Sequence, residues 1–280
     1  MSGYREEPDS HAQAARLGVE MTYKHILFSL EDGVARISLN DPKTMNGVTE
    51  EMGREMVDAL DRAAKDARAV VITGEGKGFC SGANLTAAQD MLTDPMRDVG
   101  GQLDRAFNPV ILAIKTMEQP VITAIRGPAA GFGAGLAAAG DIVMMSDNAY
   151  FFCAFCHVGL VPDGGATYLL SQAVGRVRAT QMMLLGEKVD ARTALDWGLA
   201  TRVVPDEELD EAAMKLARQL AAGPRSLGLI KRMAWDALDC GMEAALQAER
   251  VNQRAAGRTE DFLEGVNSFI EKRKPAFKGC

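Results

Sequence analysis

Apolar and polar residues alternate over residues 26–39, with a break at Asp32-Gly33, a pair typical of a two-residue turn. This pattern predicts a β-hairpin. After Thr49, a candidate N-cap, apolar residues recur every three or four positions, which predicts an amphipathic helix. The β-branched run at residues 69–73 is followed by a glycine and predicts a buried strand.

Helical and strand patterns continue to alternate along the middle of the chain. They predict a helix at residues 103–117, a strand at 120–125, an alanine-rich helix at 133–139 and a strand at 141–146. Strand and helix signals in this order favour an α/β architecture.

Strand signals stop near residue 206, and four helical patterns follow, the first with an apolar stripe from Leu209 to Leu220. The polar start of the chain has no apolar segment of the kind a signal peptide carries. We therefore predict a disordered leader at residues 1–22, an α/β core at 23–205 and a C-terminal helical region at 206–280.

The bulk composition narrows the class of protein. Apolar residues make up 47% of the chain and charged residues 25%, as in an ordinary soluble globular protein. The net charge of −7 argues against a nucleic-acid binder, and no apolar run approaches the roughly 20 residues of a membrane span. Five cysteines without framework spacing indicate a reducing compartment, so we expect a cytoplasmic protein.

Two glycine-rich turns, at residues 74–85 and 124–136, each follow a predicted strand. Glycine at such positions lets a ligand approach the backbone closely, and free N–H groups at a helix start favour negative charge. The spacing of Gly131, Gly133 and Gly135 is not that of a dinucleotide-binding loop. No Gly-Lys-Ser/Thr sequence closes a phosphate-binding loop either.

Several motifs stand in a recognisable order: Gly78 to Leu85 (GFCSGANL), Pro120 to Gly127 (PVITAIRG), Gly131-Phe-Gly133 and Val158 to Gly165 (VGLVPDGG). In this order they resemble the enoyl-CoA hydratase/isomerase (crotonase) family over nearly the whole chain. The resemblance implies a crotonase-type ββα superhelix core followed by an all-helical C-terminal region.

The resemblance also implies that the backbone N–H groups of Ala83 and Phe132 form an oxyanion hole around a thioester oxygen. Removing one such donor typically costs about 3–4 kcal/mol in acyl-transfer enzymes. Family position further implies contacts with coenzyme A or the acyl group for Lys43, Gly82, Asn84, Leu85, Gly131, Phe155, Lys274 and Phe277. For the lysines, solvated surface charges are the alternative. Coenzyme A belongs to the substrate, and we expect no other cofactor and no metal ion.

The acidic residues bear on the reaction. Family hydratases carry two glutamates, whose positions fall on Gly135 and Phe155 in this chain. Addition of water to a double bond needs positioned groups that accept and deliver protons. We therefore do not expect an ordinary two-glutamate hydratase.

One acid, Asp163, stands within a motif, where the resemblance places the catalytic aspartate of dienoyl-CoA and phenylacetyl-CoA-type isomerases. Burial beside Phe132 and Phe155 would raise its pKa towards the working pH. The alternative interpretation is an N-cap of a helix that starts at Ala166. Both roles are compatible with the sequence.

Other reactive side chains have weaker support. Cys153 and Cys156 form a lone C-x-x-C in an aromatic, strand-like run, so we expect buried core cysteines rather than a zinc site. His157 shares a face with Phe155 if this run is a strand. Ser81 has no base near it in sequence, and a Ser-His-Asp hydrolase has little support.

We therefore expect an acyl-CoA isomerase with Asp163 as acid and base. The alternatives are an enoyl-CoA hydratase or thioester hydrolase with a non-standard acid, and a non-catalytic member that binds acyl-CoA or RNA. The acidic charge balance weighs against RNA. The resemblance implies a homotrimer or a dimer of trimers, assembled through the helical tail, with no membrane partner.

Overall fold

A computed structural model of the chain describes residues 21–84 and 94–280. The strands are β1 (Met21–Thr22), β2 (Ile26–Glu31), β3 (Val34–Leu39), β4 (Ala69–Gly74), β5 (Val121–Ile125), β6 (Pro128–Ala130), β7 (Ile142–Ser146), β8 (Tyr150–Phe152), β9 (Lys188–Asp190) and β10 (Arg202–Val204).

The helices follow the strands in alternation and then succeed one another. They are α1 (Glu50–Asp66), α2 (Asn108–Thr116), α3 (Phe132–Ala138), α4 (Ala166–Leu185), α5 (Ala191–Asp196), α6 (Leu209–Ala221), α7 (Ser226–Asp236), α8 (Met242–Ala256) and α9 (Glu260–Glu271). A π-helical stretch, Leu103–Phe107, precedes α2.

The predicted hairpin is confirmed. Strands β2 and β3 pair antiparallel from Ile26 opposite Leu39 to Glu31 opposite Val34. Asp32 and Gly33 have φ of 51° and 74°, as a two-residue turn with both central residues left-handed requires. The hairpin forms one end of the main sheet, whose order is β1-β2-β3-β4-β5-β7-β10, and pairing from β3 to β10 is parallel. Strands β6, β8 and β9 form a second sheet.

Thr49 is the N-cap of α1, as predicted. Its hydroxyl accepts a hydrogen bond from the backbone N–H of Met52 at 3.2 Å. Thr259 caps α9 in the same way, with Phe262 N–H as donor at 3.1 Å. These bonds satisfy one of the orphan donors that begin each helix.

The main sheet is covered on both faces, as a parallel sheet requires. One core contains buried side chains of the sheet and of α1 to α4, together with Phe79 of the loop after β4 and Phe107 of the π-helical stretch. On the other face, α6 packs on Val71 and Ile122 through its buried leucines and alanines. The apolar stripe from Leu209 to Leu220 therefore covers the sheet of its own chain.

Three local expectations need correction. The run Ala154–Val158 is a 3-10 helix rather than a strand, so Phe155 and His157 do not share a strand face. Cys153 is buried, but Cys156 is exposed. Met21–Thr22, assigned to the leader, pairs with β2, whereas residues 1–20 lie outside the described part of the chain.

In the two described ranges, no helix has the length and apolar character needed to cross a membrane.

Candidate active site

The two glycine-rich segments lie side by side at the carboxyl ends of β4 and β5. Phe79 N–H donates to the carbonyl oxygen of Arg126 at 2.7 Å, and Cys80 N–H donates to that of Pro128 at 3.0 Å. Ala130 N–H in turn donates to the carbonyl oxygen of Cys80 at 2.8 Å. The chain leading to Ala83 and the chain leading to Phe132 are thus hydrogen-bonded to each other.

The segment around Ala83 is also fixed along its other edge. Val48 N–H donates to Gly82 O at 2.7 Å, and Asn84 N–H donates to Val48 O at 2.9 Å. Because these two bonds use the peptide groups that face Val48, the N–H of Ala83 points away from that edge. The opposite edge is the one that pairs with the segment before Phe132.

The residues before the two candidate donors touch each other. A Cβ built on Gly82 would lie 3.0 Å from the carbonyl oxygen of Ala130 and 3.5 Å from Cα of Gly131. Ala83 and Phe132 come directly after Gly82 and Gly131, so their backbone N–H groups are brought into one neighbourhood. Phe132 is the first residue of α3, where an N–H has no partner within the helix.

The Phe132 side chain does not obstruct this neighbourhood. Its ring is buried and packs on the ring of Phe107, with centroids 4.6 Å apart and planes tilted by 34°. Phe107 belongs to the π-helical stretch before α2. The backbone of Phe132 therefore lies at the site while its side chain belongs to the core.

Asp163 lies beside this pair of segments. A Cβ on the following residue, Gly164, would lie 2.7 Å from the Phe132 ring and 3.3 Å from the Phe132 carbonyl oxygen. Burial raises the pKa of the Cys80 thiol to about 12, and the nearby Asp163 carboxylate contributes to the rise. Asp163 and the two glycine-rich segments thus form a single site.

The Asp163 carboxyl group is unusual in its surroundings. Its Oδ1 is buried and has no hydrogen-bond partner among the described residues. Desolvation by burial raises the pKa of Asp163 to about 6, from the ordinary value of 3.8. A carboxyl group that changes protonation near neutral pH is suited to proton transfer.

The capping interpretation of Asp163 is wrong. The residue before α4 is Gly165, and no side chain caps this helix. Asp163 contributes only its carbonyl oxygen, which accepts from Ala166 N–H at 3.0 Å. Gly164 and Gly165, with φ of 58° and 74°, turn the chain between the carboxylate and the helix.

Gly135 lies where the resemblance places the first glutamate of hydratases, and its surroundings exclude a side chain. A Cβ at this position would lie 2.8 Å from the carbonyl carbon of Gly164 and closer still to its oxygen. The loop that carries Asp163 therefore packs directly on α3 at Gly135. The absence of an acid at 135 and the position of Asp163 have the same structural cause.

The remaining predicted site residues are spread over the chain. Lys43 is exposed in a 3-10 helix, and Phe155 is buried. Phe277 lies beside Gly265 of α9, and Lys274 is exposed in the same C-terminal tail. No described contact joins this tail to Ala83, Phe132 or Asp163 within one chain. Leu85 lies outside the described residues.

Sequence analysis missed Asn46, a fully buried polar residue next to the site. Its side-chain amide bonds the loop that leads from β4 to Cys80. The Asn46-Gly47 dipeptide is a turn signal, and it was the only indication available in the sequence.

A model of the enoyl-CoA hydratase/isomerase family matches residues 29–280. The chain belongs to this family. It is 40% identical to the 1,2-epoxyphenylacetyl-CoA isomerase of Escherichia coli (strain K12), with 91% of this chain and 98% of that protein covered. It is 34% identical to the trans-2-decenoyl-(acyl-carrier-protein) isomerase of Streptococcus mutans, over 92% of this chain and all of that one.

Solved structures of the family share the fold. The crystal structure of an enoyl-CoA hydratase from Polaromonas sp. JS666 matches with a TM-score of 0.84 and 30% identity, over 90% of this chain and 99% of that one. The protein is therefore an acyl-CoA-processing enzyme with the α/β crotonase fold. Its relatives carry both isomerase and hydratase names.

Proposed function

We propose that the enzyme isomerises an enoyl-CoA by moving a double bond with a single carboxyl group, Asp163. The observation that carries this proposal is the buried Oδ1 of Asp163 next to the two glycine-rich segments, which has no hydrogen-bond partner in the part of the chain that the structure describes. A second acid at position 135 has no room beside Gly164. One titratable group suits proton transfer between two carbons of the same substrate better than addition of water.

In the proposed mechanism, the Asp163 carboxylate removes a proton from C2 of a 3-enoyl-CoA, the carbon between the thioester carbonyl and the double bond. The C–H bond breaks, and its electron pair delocalises onto the thioester oxygen. The backbone N–H groups of Ala83 and Phe132 stabilise that oxygen as it gains charge. The Asp163 carboxyl group then returns the proton to C4, so the reaction balances without an oxidant or a reductant.

Two substrate classes follow from the relatives' names. The isomerase from Escherichia coli supports an acyl group with an aromatic or polyunsaturated ring, such as 1,2-epoxyphenylacetyl-CoA, and the one from Streptococcus mutans supports a linear enoyl chain. Hydration of an enoyl-CoA is the second candidate reaction, because similar solved structures carry the hydratase name.

The test is turnover of 3-enoyl-CoA, 2,5-dienoyl-CoA, 1,2-epoxyphenylacetyl-CoA and crotonyl-CoA by the wild type and Asp163→Asn. We expect isomerisation of at least one of the first three substrates. Loss of the base should lower kcat by about 10²-fold or more. Product analysis by liquid chromatography and mass spectrometry distinguishes isomerisation from hydration, because only hydration adds the mass of water.

Asp196→Asn is the matched control, because Asp196 is an exposed carboxylate whose partner is Arg192 on the same helix. This variant should keep wild-type turnover. Efficient hydration of crotonyl-CoA without isomerisation would replace the proposal by the second candidate. Full isomerase activity in Asp163→Asn would remove Asp163 from the mechanism.

We further propose a homotrimer, or a dimer of two trimers. Large apolar side chains are exposed on α8 and α9. Such a surface supports contact with another copy of the chain, which would bury it. Coenzyme A contacts from Lys43 within the chain, and from Lys274 and Phe277 of a neighbouring copy, belong to the same proposal. The tail's separation from Asp163 in a single chain is compatible with this arrangement.

A further inference from the structure

Asn46 is a buried side chain that the mechanism above does not use. Its amide nitrogen donates towards three carbonyl oxygens, those of Glu75 at 3.0 Å, Gly78 at 2.7 Å and Phe79 at 3.3 Å. Its amide oxygen accepts from the N–H of Asp41 at 2.9 Å. With two N–H bonds shared among three acceptors, its hydrogen-bonding capacity is used.

The loop that Asn46 holds runs directly into the first candidate donor. Gly78 and Phe79 lie two residues and one residue before Cys80, and Ala83 follows Cys80 by three residues. The next bonds on the same side are Ser81 N–H to Met45 O at 2.9 Å and Ser81 hydroxyl to Thr44 O at 2.7 Å. Residues 44–48 therefore hold this backbone from its start to Asn84.

The conformation at position 46 fits asparagine. Met45 and Asn46 have φ of 53° and 60°, and asparagine tolerates this left-handed region better than most residues. The amide enters a gap at the end of β4, where a Cβ on Gly74 would lie 2.7 Å from Nδ2 of Asn46. A turn of this kind needs a side chain that both donates and accepts, and carries no charge.

We propose that Asn46 is a positioning residue of the oxyanion hole. By bonding three carbonyls of the loop after β4, it fixes the path of the backbone into Ala83 and so the direction of the Ala83 N–H. The inference rests on the proposed function, because it assigns Asn46 to the donor that polarises the thioester. A donor displaced by about 1 Å can lower catalysis by about 100-fold.

The experiment measures the thioester carbonyl directly. Butyryl-CoA, labelled with ¹³C at the carbonyl, has no double bond to isomerise, and hydrogen bonds to its oxygen lower the C=O stretching frequency. Infrared difference spectra are recorded for the wild type, Asn46→Gly and Asp163→Asn. Glycine keeps the left-handed backbone accessible and removes only the side chain.

We expect a lowered frequency in the wild type and in Asp163→Asn, since both retain the donors. In Asn46→Gly the frequency should return towards that of free butyryl-CoA. Its kcat should fall by about 10- to 100-fold, with butyryl-CoA affinity within threefold of wild type. Asn46→Ser, which keeps one donor, takes its place if the glycine variant does not fold.

Lys231→Met is the control for lost stability. Lys231 is buried. Its ammonium group pairs with Asp141 at 2.9 Å and donates to the Gln119 carbonyl oxygen at the amino ends of β5 and β7, whereas the site lies at the carboxyl ends of the strands. The Lys231→Met variant should have a lower melting temperature than the wild type and the same carbonyl stretching frequency of bound butyryl-CoA.

Different outcomes test the oxyanion hole and the role of Asn46. A wild-type frequency equal to that of free butyryl-CoA would overturn the oxyanion hole itself, and the role of Asn46 with it. A lowered wild-type frequency that Asn46→Gly or Asn46→Ser preserves, with wild-type kcat, would overturn only the role of Asn46.

Discussion

Asp163 differs from Asp41, another carboxylate near the site, in its burial and its hydrogen bonding. Burial raises the pKa of Asp163 to about 6, and within residues 21–84 and 94–280 its Oδ1 has no hydrogen-bond partner that would offset the lost water. Asp41, by comparison, accepts a hydrogen bond from the Thr44 hydroxyl at 2.7 Å. The raised pKa of Asp163 thus follows from its removal from water without a compensating partner among the described residues.

The pH dependence of turnover tests this assignment. The carboxylate is the form that removes a proton, so kcat/KM should rise with pH through about 6 and then level off. At pH 5 it should be about tenfold below the plateau. Initial rates between pH 4.5 and 8, with circular dichroism to verify folding, measure this. A rate independent of pH over this range would contradict Asp163 as the base.

A functional residue could be predicted from the sequence when it lay in a motif or had a reactive side chain. Asp163 stood out because it is the only acid within a motif. Its second interpretation, as a cap, failed because capping requires the residue directly before the helix, and Gly165 occupies that position. Asn46 was missed because its partners are main-chain carbonyls about 30 residues away, which leave no trace in side-chain patterns.

At the scale of elements, the close packing of α3 on the loop at 163–165 determines which acids the site can hold. Gly135 allows the Gly164 carbonyl to approach α3. A side chain at 135 would push this loop away, and Asp163 would move with it. A substitution at position 135 of α3 therefore changes the position of the loop that carries Asp163.

Gly135→Ala should consequently destabilise the protein and lower turnover, although Ala is the better helix former. We expect a loss of about 1–3 kcal/mol in the free energy of unfolding, from overpacking against Gly164. Gly135→Glu should be worse and should not create hydration of crotonyl-CoA. Urea unfolding and product analysis measure both effects.

Gly241→Ala serves as the comparison, because nothing lies within 4 Å of a Cβ at that position and its φ is negative. It should change the free energy of unfolding by less than about 1 kcal/mol. Equal stability of Gly135→Ala and wild type would show that the loop is free to shift.

The long periodic elements and the predicted strands at 69–73, 120–125 and 141–146 followed from the sequence, whereas the short aromatic run around Phe155 was assigned wrongly. The hairpin, α1 and the helices of the tail have enough residues for their period to be unambiguous. The five residues Ala154–Val158 are too few to distinguish a strand from a tight helical turn, since both place apolar residues inside. The aromatic strand β8 lies directly before this run, so the two read as one continuous strand in the sequence.

At the scale of the whole molecule, the sequence identified several amphipathic helices but could not tell which apolar stripe faces inward. Helix α6 covers the sheet. Several exposed large apolar side chains lie instead on later helices, among them Phe269 of α9, which is 85% exposed. Periodicity gives an apolar face, and only the tertiary structure decides its partner.

If this face joins copies of the chain, Phe269→Asp should shift a trimer towards monomers. A desolvated carboxylate at the centre of an apolar contact is strongly unfavourable. Sedimentation equilibrium of wild type and variant measures the change, with Leu112→Asp, an exposed leucine of α2, as a control substitution. A wild type that sediments as a monomer would contradict the proposed assembly.

The orientation of Phe132 has an evolutionary consequence. Phe132 contributes its backbone amide to the site and its ring to the core. Selection for polarisation of the thioester carbonyl and selection for core packing therefore act on different atoms of this residue. Substitution of the ring together with Phe107 would alter the packing beneath the site and leave the backbone amide in place. Side-chain packing here can therefore change without loss of a hydrogen-bond donor to the thioester.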